Sequence, residues 1–598
     1  MSVKKAIFWR AMLAFGFVAL IAAFILVKML RIQVVEGQKW RAMADSLTTK
    51  FEDVAPNRGN IYSANGRLMA TSLYTYDVHM DLHTDYLEEL YNSNGLHKQL
   101  DTLSGQLSTL FRGVGEKTKA TWYQELKMAY AANKRYFPIR NGVNNIQLQE
   151  LKTFNLYKMG QFKGGLIVQQ RTERKRPYQM LAKRTVGYVN DEKLVGLEGG
   201  FNNFLAGVKG YRLLQKVGNK DWIPIHDKNE IEPENGVDIY TTIDIFIQDF
   251  VEQSLEKQIV KTQADHGTAV VMEVATGKIK AIANLTLNKA TNRCYEGWNY
   301  AVGESTHPGS TFKIAGLLAL LDQNLMTLDD TIPTGNGIKE FYNLTMRDSK
   351  HGGHGTISLK RIIEVSSNIG IALALENNYK NREDEFSKFL SKMKLDQPIN
   401  VPMIGEPNPT IKTKKGSDSW SGTTLAWMAH GYELTLTPLQ TLMIFSAVAN
   451  KGRMMQPYFV TKIGDRTKII EEYDPQIRVA NAFSEETALL ATEALQGVID
   501  NDGTAKNIYD PTMKLAAKTG TVVLRKPNEA KKYQASIAGF FPADQPKYAC
   551  IVVINKPTTY GTSGAKVAGP VFKDIAQKLY SYDVNMLPAK YADHKQDI

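Results

Sequence analysis

The stretch STHPGSTFKIAGLLALLDQN, residues 305–324, decides how the chain is read. Pro308-Gly309 interrupts the backbone, and Thr311 onward is apolar with helical spacing. Ser310 therefore falls at or just inside a helix N-terminus. Free N–H groups and the positive end of the helix dipole favour a developing anion there. Lys313 lies one turn further along the same face, within reach of the Ser310 hydroxyl. Desolvated among Phe312, Ile314 and their neighbours, a lysine loses basicity and can take a proton from a serine. An isolated Ser-x-x-Lys is ordinarily a capped helix with a solvated lysine, so the rest of the chain must decide.

Two later motifs supply what the pair lacks. EVSSNIGIALALEN, residues 364–377, places Ser366 and Asn368 just before another apolar helix. Alternation puts their side chains on one side of an extended or turn segment. The hydroxyl can relay a proton, and the amide can bind a substrate amide. LAAKTGTVV, residues 515–523, places Lys518-Thr519-Gly520-Thr521 on a predicted strand. Gly520 lets a ligand approach the backbone. Lys518 and Thr519 offer a cation and a hydroxyl to a carboxylate. The Ser310 and Thr521 N–H groups together would form an oxyanion hole.

The N-terminus carries a different signal. AMLAFGFVALIAAFILV, residues 11–27, is free of charge, and Ile7, Phe8 and Trp9 extend it toward the roughly 20 residues that cross a bilayer. Lys4, Lys5 and Arg10 precede it; Lys28 and Arg31 follow. The Ala42-Met43-Ala44 box resembles a cleavage site but lies far past the apolar run, so an uncleaved anchor is expected. The net charge of +12 is dispersed, without a compact basic block or zinc-finger spacing, which argues against nucleic acid. Cys294 and Cys550 are far apart and are expected to be unbridged.

Residues 32–50 read as a helical stalk. Asn65-Gly66 inside RGNIYSANGRLMATS marks a hairpin. Residues 86–160 read as helical, 196–210 as a glycine-rich folded connection, and the pattern changes at a boundary near 230–236. A strand then leads through Thr242 and Asp244 into an amphipathic helix bearing Ile247, Phe250, Val251 and Leu255. Strands are expected over 267–285, 513–523, 534–543 and 547–557, with helices over 311–324, 358–376, 383–393, 420–430, 437–451 and 484–500. Strands at both ends with helices between predict one mostly antiparallel sheet flanked by helices, an α+β multidomain chain.

Ser-x-x-Lys, a Ser-x-Asn motif and Lys-Thr-Gly, in that order, are the signature of penicillin-binding proteins and class A β-lactamases. The chain resembles a class B penicillin-binding protein, a peptidoglycan D,D-transpeptidase, over nearly its whole length. RGNIYSANG resembles the family's Arg-Gly-x-Ile-x-Asp-Arg-x-Gly box, with Ser63 and Ala64 in place of Asp and Arg. Gly196, Glu198, Leu205, Gly207 and Gly210 match its Gly-x-Glu box, and EVSSNIG is more like division-type (septal) members than elongation-type ones.

The resemblance implies a cytoplasmic tail (1–10), a transmembrane anchor (11–31), a pedestal of dimerisation type (32–232), a transpeptidase domain (233–585) and a C-terminal tail (586–598). It implies a cytoplasmic-membrane protein with its bulk in the periplasm. Ser310, Lys313, Ser366 and Lys518 would be catalytic, and Asn368, Thr519, Gly520 and Thr521 would bind substrate. Donor and acceptor pentapeptide stems would be joined through an acyl-enzyme, and β-lactams would acylate Ser310. A polytopic glycan-strand polymerase and other division membrane proteins would be partners. No cofactor or metal is expected, since His351 and His354 of HGGHG lack further ligands. Rival readings each lack a feature. A β-lactamase needs a water-activating Glu-x-x-Leu-Asn pattern, a bifunctional enzyme a glycosyltransferase module, and a β-lactam sensor extra membrane helices with His-Glu-x-x-His. An inactive scaffold would have lost motif residues that are all present here.

Overall fold

The computed structural model describes residues 3–40, 43, 49–113, 115–190, 193–217, 221–225, 231–415, 420–465, 467–500, 502–524 and 530–583. The chain divides into two compact units, residues 1–58 with 206–236, and residues 59–205 with 237–598.

The first unit holds a helix, Val3–Leu30, that runs into a π-helical turn, Arg31–Val35. Its apolar residues point outward on every side, and none of the apolar window is buried in protein. A helix that is apolar all round suits lipid rather than a one-sided core. It is long and apolar enough to cross a membrane. The expected stalk over 32–50 ends differently, because a strand, Thr49–Val54, begins inside it. That strand pairs antiparallel with Gly210–Val217, which pairs with Asp221–Ile225. Residues 41–42 and 44–48, which include Ala42 and Ala44 of the cleavage-like box, and the tail 586–598 lie outside the described residues.

The second unit contains two cores. The smaller one packs Leu87, Leu103, Leu107, Trp122, Leu126 and Leu151 from the helices Asp85–Asn92, Leu96–Leu110, Lys119–Ala131 and Asn145–Thr153. A strand, Phe137–Val143, interrupts this segment, which the sequence suggested was helical throughout. Its Ile139 and Val143 are buried, and it pairs with the long strand Leu68–Met80. The predicted hairpin forms, with Gly66 at φ +71° between Ile61–Tyr62 and that strand. Ser63 Oγ accepts the Arg67 N–H at 3.1 Å and helps close the turn. These strands belong to a seven-stranded sheet that also recruits Leu166–Lys175, Ile239–Thr241, Val460–Gly464 and Ile469–Glu472. One of its pairings, Ile239–Thr241 with Ile61–Tyr62, is parallel.

The main core surrounds a six-stranded antiparallel sheet. Helix α1 (Ile245–Thr262) starts at Asp244, whose Oδ1 accepts the N–H groups of Phe246 and Ile247 at 3.0 and 3.3 Å. Its Ile247, Val251, Leu255 and Ile259 form the buried stripe, while Phe250 is only partly covered. Strands β1 (His266–Glu273), β2 (Ile279–Asn288) and β3 (Arg293–Tyr295) make one half of the sheet. Strands β4 (Ala516–Leu524), β5 (Lys532–Phe541) and β6 (Tyr548–Asn555) make the other, in the order β3-β2-β1-β6-β5-β4. Strand β6 is buried throughout because helices cover both faces. Burial of each large aliphatic side chain on it, such as Ile551 and Val552, stabilises the fold by about 1.5–3 kcal/mol.

Between the halves lie helices α2 (Lys313–Asp322), α3 (Leu359–Glu364), α4 (Asn368–Tyr379), α5 (Pro438–Ala449) and α6 (Glu485–Gly497). The single helix expected over 358–376 is broken at Ser366, which takes φ +58°. Two further features had no counterpart in the sequence reading. Short ladders join Thr331–Gly335 to Gly355–Ser358 and Ile338–Phe341 to Leu344–Arg347, and α7 (Gly569–Tyr582) packs at the C-terminal end. Cys294 and Cys550 are both free thiols.

Candidate active site

Ser310 lies in a single 3₁₀ turn, Gly309–Phe312, that feeds directly into α2. Two contacts hold this turn. Thr311 Oγ1 donates to Pro308 O at 2.7 Å, and the Gly309 N–H donates to Gly431 O at 3.1 Å. Gly309 and Gly431 both have positive φ, and a Cβ on Gly431 would sit 2.1 Å from Gly309 O. The close approach of two glycine backbones thus sets where Ser310 stands.

Lys313, the first residue of α2, is fully buried. Its Nζ donates to Ser366 O at 2.6 Å, to Asn368 Oδ1 at 2.7 Å and toward Ser366 Oγ at 3.2 Å. Ser366 and Asn368 do share one side, as the sequence suggested, but through a left-handed turn between α3 and α4 rather than strand alternation. Lys518 on β4 is also fully buried, and its Nζ reaches Ser366 Oγ at 2.7 Å and its neighbour's carbonyl, Thr519 O, at 3.1 Å. One hydroxyl therefore sits between two lysines. Burial drives both lysines below their ordinary basicity: Lys313 to about 7, opposed by the Asp348 carboxylate, and Lys518 well down, with Lys313 adding repulsion.

The surface around these groups is a cleft of about 900 Å³. Ser310, Ser366, Asn368, Thr519 and Thr521 line it, joined by Ser349, His430, Tyr432, Thr504 and Ser563. Thr519 and Thr504 hydroxyls stand 3.2 Å apart, and Thr521 Oγ1 accepts the Gly564 N–H at 3.1 Å. Strand β4 is an edge strand, which leaves main-chain groups free to pair with an extended ligand. Tyr432 Oη accepts the Val523 N–H at 3.2 Å and ties that edge to the loop carrying Gly431. His430 is depressed to about 3 by burial and by Lys313, so it stays neutral.

One sequence-based assignment is corrected in its physical reason. Lys518 does not present its ammonium to a carboxylate in the cleft; its Nζ is spent inside, on Ser366. The hydroxyl-bearing residues Thr504, Thr519 and Ser563 line the cleft at the surface. Gly520 also makes room for neighbouring chain, since a Cβ there would lie 2.4 Å from Ser536 Oγ and 3.0 Å from Thr311 Cγ2. The sequence reading missed Asp348, His430, Tyr432 and Thr504, none of which stands at a motif spacing. Among the described residues, no group of three or more His, Cys, Asp or Glu side chains could hold a metal ion.

A half-buried serine held between two buried lysines at an antiparallel sheet edge is the arrangement of a serine acyl-transferase of the penicillin-recognising kind. Residues 267–577 match the penicillin-binding protein transpeptidase domain, and residues 53–241 match the penicillin-binding protein dimerisation domain. The chain belongs to this family, among its class B members. It is 25% identical over 599 residues to peptidoglycan D,D-transpeptidase FtsI of Buchnera aphidicola subsp. Schizaphis graminum, covering 98% of this chain and 97% of that one. Against FtsI of Escherichia coli K12 it is 24% identical, covering 95% and 90%. The fold is similar to penicillin-binding protein 2X from Streptococcus thermophilus, with a TM-score of 0.71 at 20% identity, over 91% of this chain and 82% of that one.

Proposed function

We propose that the chain is a serine D,D-transpeptidase that cross-links peptidoglycan stem peptides and is acylated by β-lactams. The observation that carries this reading is Ser366 Oγ held between Lys313 and Lys518 at 3.2 and 2.7 Å, beside Ser310 in one cleft. Ser310 Oγ attacks the penultimate D-Ala carbonyl of a donor stem while neutral Lys313 takes its proton. The Ser310 and Thr521 N–H groups stabilise the tetrahedral oxyanion. As the C–N bond breaks, the departing D-Ala amine receives a proton through Ser366 and the lysine pair. The ester on Ser310 is then attacked by the amine of a second stem, which loses a proton along the same path, and Ser310 leaves with its hydroxyl restored. Thr519 and its neighbouring hydroxyls grip the donor carboxylate, and Asn368 faces its amide.

Matches over 53–241 and 267–577 support a pedestal over 32–232 and a transpeptidase domain over 233–585. The helix Val3–Leu30 supports a single-pass anchor in the cytoplasmic membrane with the bulk outside the cytoplasm. Ser-Ser-Asn-Ile-Gly at 366–370 and the FtsI relatives favour septal rather than lateral wall synthesis. In that role its membrane helix and pedestal would meet a polytopic glycan-strand polymerase. The test is covalent labelling with fluorescent penicillin, followed by mass mapping. Wild type is labelled on the peptide containing Ser310, and Ser310→Ala is not. Equal labelling of Ser310→Ala would remove the nucleophile from this account.

A further inference from the structure

The turn that carries Ser366 and Asn368 is held from outside its own helices. Asp348 leaves the ladder Ile338–Phe341/Leu344–Arg347 and points its carboxylate at the N-terminus of α4. Its Oδ1 accepts the N–H groups of Asn368 and Ile369 at 2.6 and 3.1 Å, and its Oδ2 accepts the Ser367 hydroxyl at 2.7 Å. Ser367 Oγ in turn caps the helix by accepting the Gly370 N–H at 2.9 Å. The preceding residue contributes too: Asn368 Nδ2 donates to Arg347 O at 2.9 Å while Asn368 Oδ1 takes Lys313. An anion on free N–H groups at a helix start is in its preferred place. The left-handed Ser366 between α3 and α4 costs on the order of 1–3 kcal/mol, and such strain persists only where neighbours over-determine it.

We propose that Asp348 is a positioning residue for the transfer reaction: its carboxylate clamps the Ser366–Asn368 turn against Lys313 and supplies the negative charge that faces that lysine. The proposal rests on the transpeptidase reading above. The groups that face Lys313 are Asp348 from the hairpin exit, Lys518 from β4, His430 beyond the helix Thr424–Ala429, and the polar oxygens of Ser366 and Asn368. His354, on the same loop as Asp348, senses its charge as well. Among these, Lys518 and Lys313 repel each other and His430 is neutral. Asp348 favours the protonated form of Lys313, so removing its charge makes Lys313 a weaker base that is neutral at lower pH.

The experiment measures acylation of the full-length protein in detergent by a fluorescent penicillin between pH 5.5 and 9. For wild type the rate rises with pH as Lys313 loses its proton. In Asp348→Asn this rise moves to lower pH by about one unit, because a carboxylate charge has been removed beside a desolvated lysine. The plateau falls about tenfold, because the turn is held less firmly. Ser367→Ala keeps the charge and loses one hydrogen bond, so its plateau falls while its rise stays at the wild-type pH. An Asp348→Asn profile superimposable in pH on wild type, or a Ser367→Ala profile displaced equally, overturns the proposal. Where Asp348→Asn shows no cooperative thermal transition, Asp348→Glu replaces it. A wild-type rise with a lowered plateau supports the charge role, and a displaced rise overturns it. Ser310→Ala is run alongside: label on that variant would refute the nucleophile assignment, whereas a negative result at Asp348 with an unlabelled Ser310→Ala would leave it standing.

Discussion

Replacing Lys313 by Met should abolish acylation and at the same time stabilise the transpeptidase domain at neutral pH. Lys313 is fully buried, and burial holds its ammonium at about 7 instead of the ordinary 10.5. A folded-state value below the unfolded one means that the unfolded chain binds the proton more tightly. From pH 10.5 down to pH 7 the lysine therefore disfavours folding progressively, and below pH 7 the penalty is constant. At about 1.36 kcal/mol per unit, the difference between 10.5 and 7 amounts to roughly 5 kcal/mol. Met has a similar length and no charge, so it removes this term. It leaves Ser366 O and Asn368 Oδ1 without their donor, a cost of about 1–3 kcal/mol for each group that water from the cleft does not reach. The expected gain near pH 7 is about 2–3 kcal/mol.

The sign of the pH dependence is the sharper test. Wild-type stability should rise between pH 7 and pH 10 as the penalty fades, and the Met variant should lack that share of the slope. Its advantage therefore shrinks with rising pH, by about 1.4 kcal/mol per unit, and reverses about two units above pH 7, near pH 9. Thermal or urea unfolding of the transpeptidase transition, followed at half-unit steps from pH 6.5 to 9.5 in both proteins, measures this. An Lys313→Met variant less stable than wild type at every pH, by an amount that does not change with pH, would refute the claim that Lys313 is a strained, low-affinity base. Retained acylation at the wild-type rate would refute its role in proton transfer.

Two other outcomes follow from the geometry. Gly431→Ala puts a Cβ 2.1 Å from Gly309 O at φ +83°, so the Ser310 turn must shift. Acylation is expected to fall about 10²-fold, the usual consequence of displacing a reacting group by about 1 Å, with little change in non-covalent penicillin affinity; single-turnover kinetics that show normal acylation would count against the glycine contact as the device that places Ser310. A chain lacking residues 1–30 should stay in solution without detergent and label with fluorescent penicillin at the full-length rate, because the helix Val3–Leu30 is covered by no protein; loss of labelling in a folded truncation would mean that the anchor acts on the site.

The parts of the site that the sequence disclosed are those whose chemistry demands a fixed local spacing. Ser310 and Lys313 sit one turn apart on consecutive helical elements, and Lys518 through Thr521 occupy one strand. His430 and Tyr432 reach the cleft from one loop and Thr504 from another, while Asp348 holds the turn of Ser366 from a third place, and no spacing in one dimension announces such a convergence. The same division holds for the fold. The Asn65-Gly66 turn follows from local turn residues, and the strands within 267–285 from β-branched runs broken by a turn. The seven-stranded sheet draws strands as far apart as Ile61–Tyr62 and Ile469–Glu472, several only two to five residues long, so long-range pairing rather than local pattern defines it. Lys518 shows why burial is hard to read from residue type. A strand lysine is ordinarily solvated, but the register Lys518↔Ala538 and the cover of α6 leave it fully enclosed, with Ser366 Oγ as its side-chain partner.

That enclosure decides how many protons the site holds. With Ser366 Oγ 3.2 Å from one lysine nitrogen and 2.7 Å from the other, the two nitrogens are no more than about 6 Å apart. Two ammonium groups at that separation repel by about 3 kcal/mol at an effective dielectric of 20, or roughly two pK units, before any cost of burial is added. At neutral pH the pair therefore carries at most one proton. Ser366 has one hydrogen and two lone pairs, so it can accept from the charged lysine while donating to the neutral one. Reversing both bonds moves the charge from one lysine to the other without moving a heavy atom. A site built this way can take a proton from Ser310 on one side and deliver one to a departing amine on the other. The carboxylate of Asp348, set at the turn that carries Ser366, acts the other way from burial and favours the proton on Lys313.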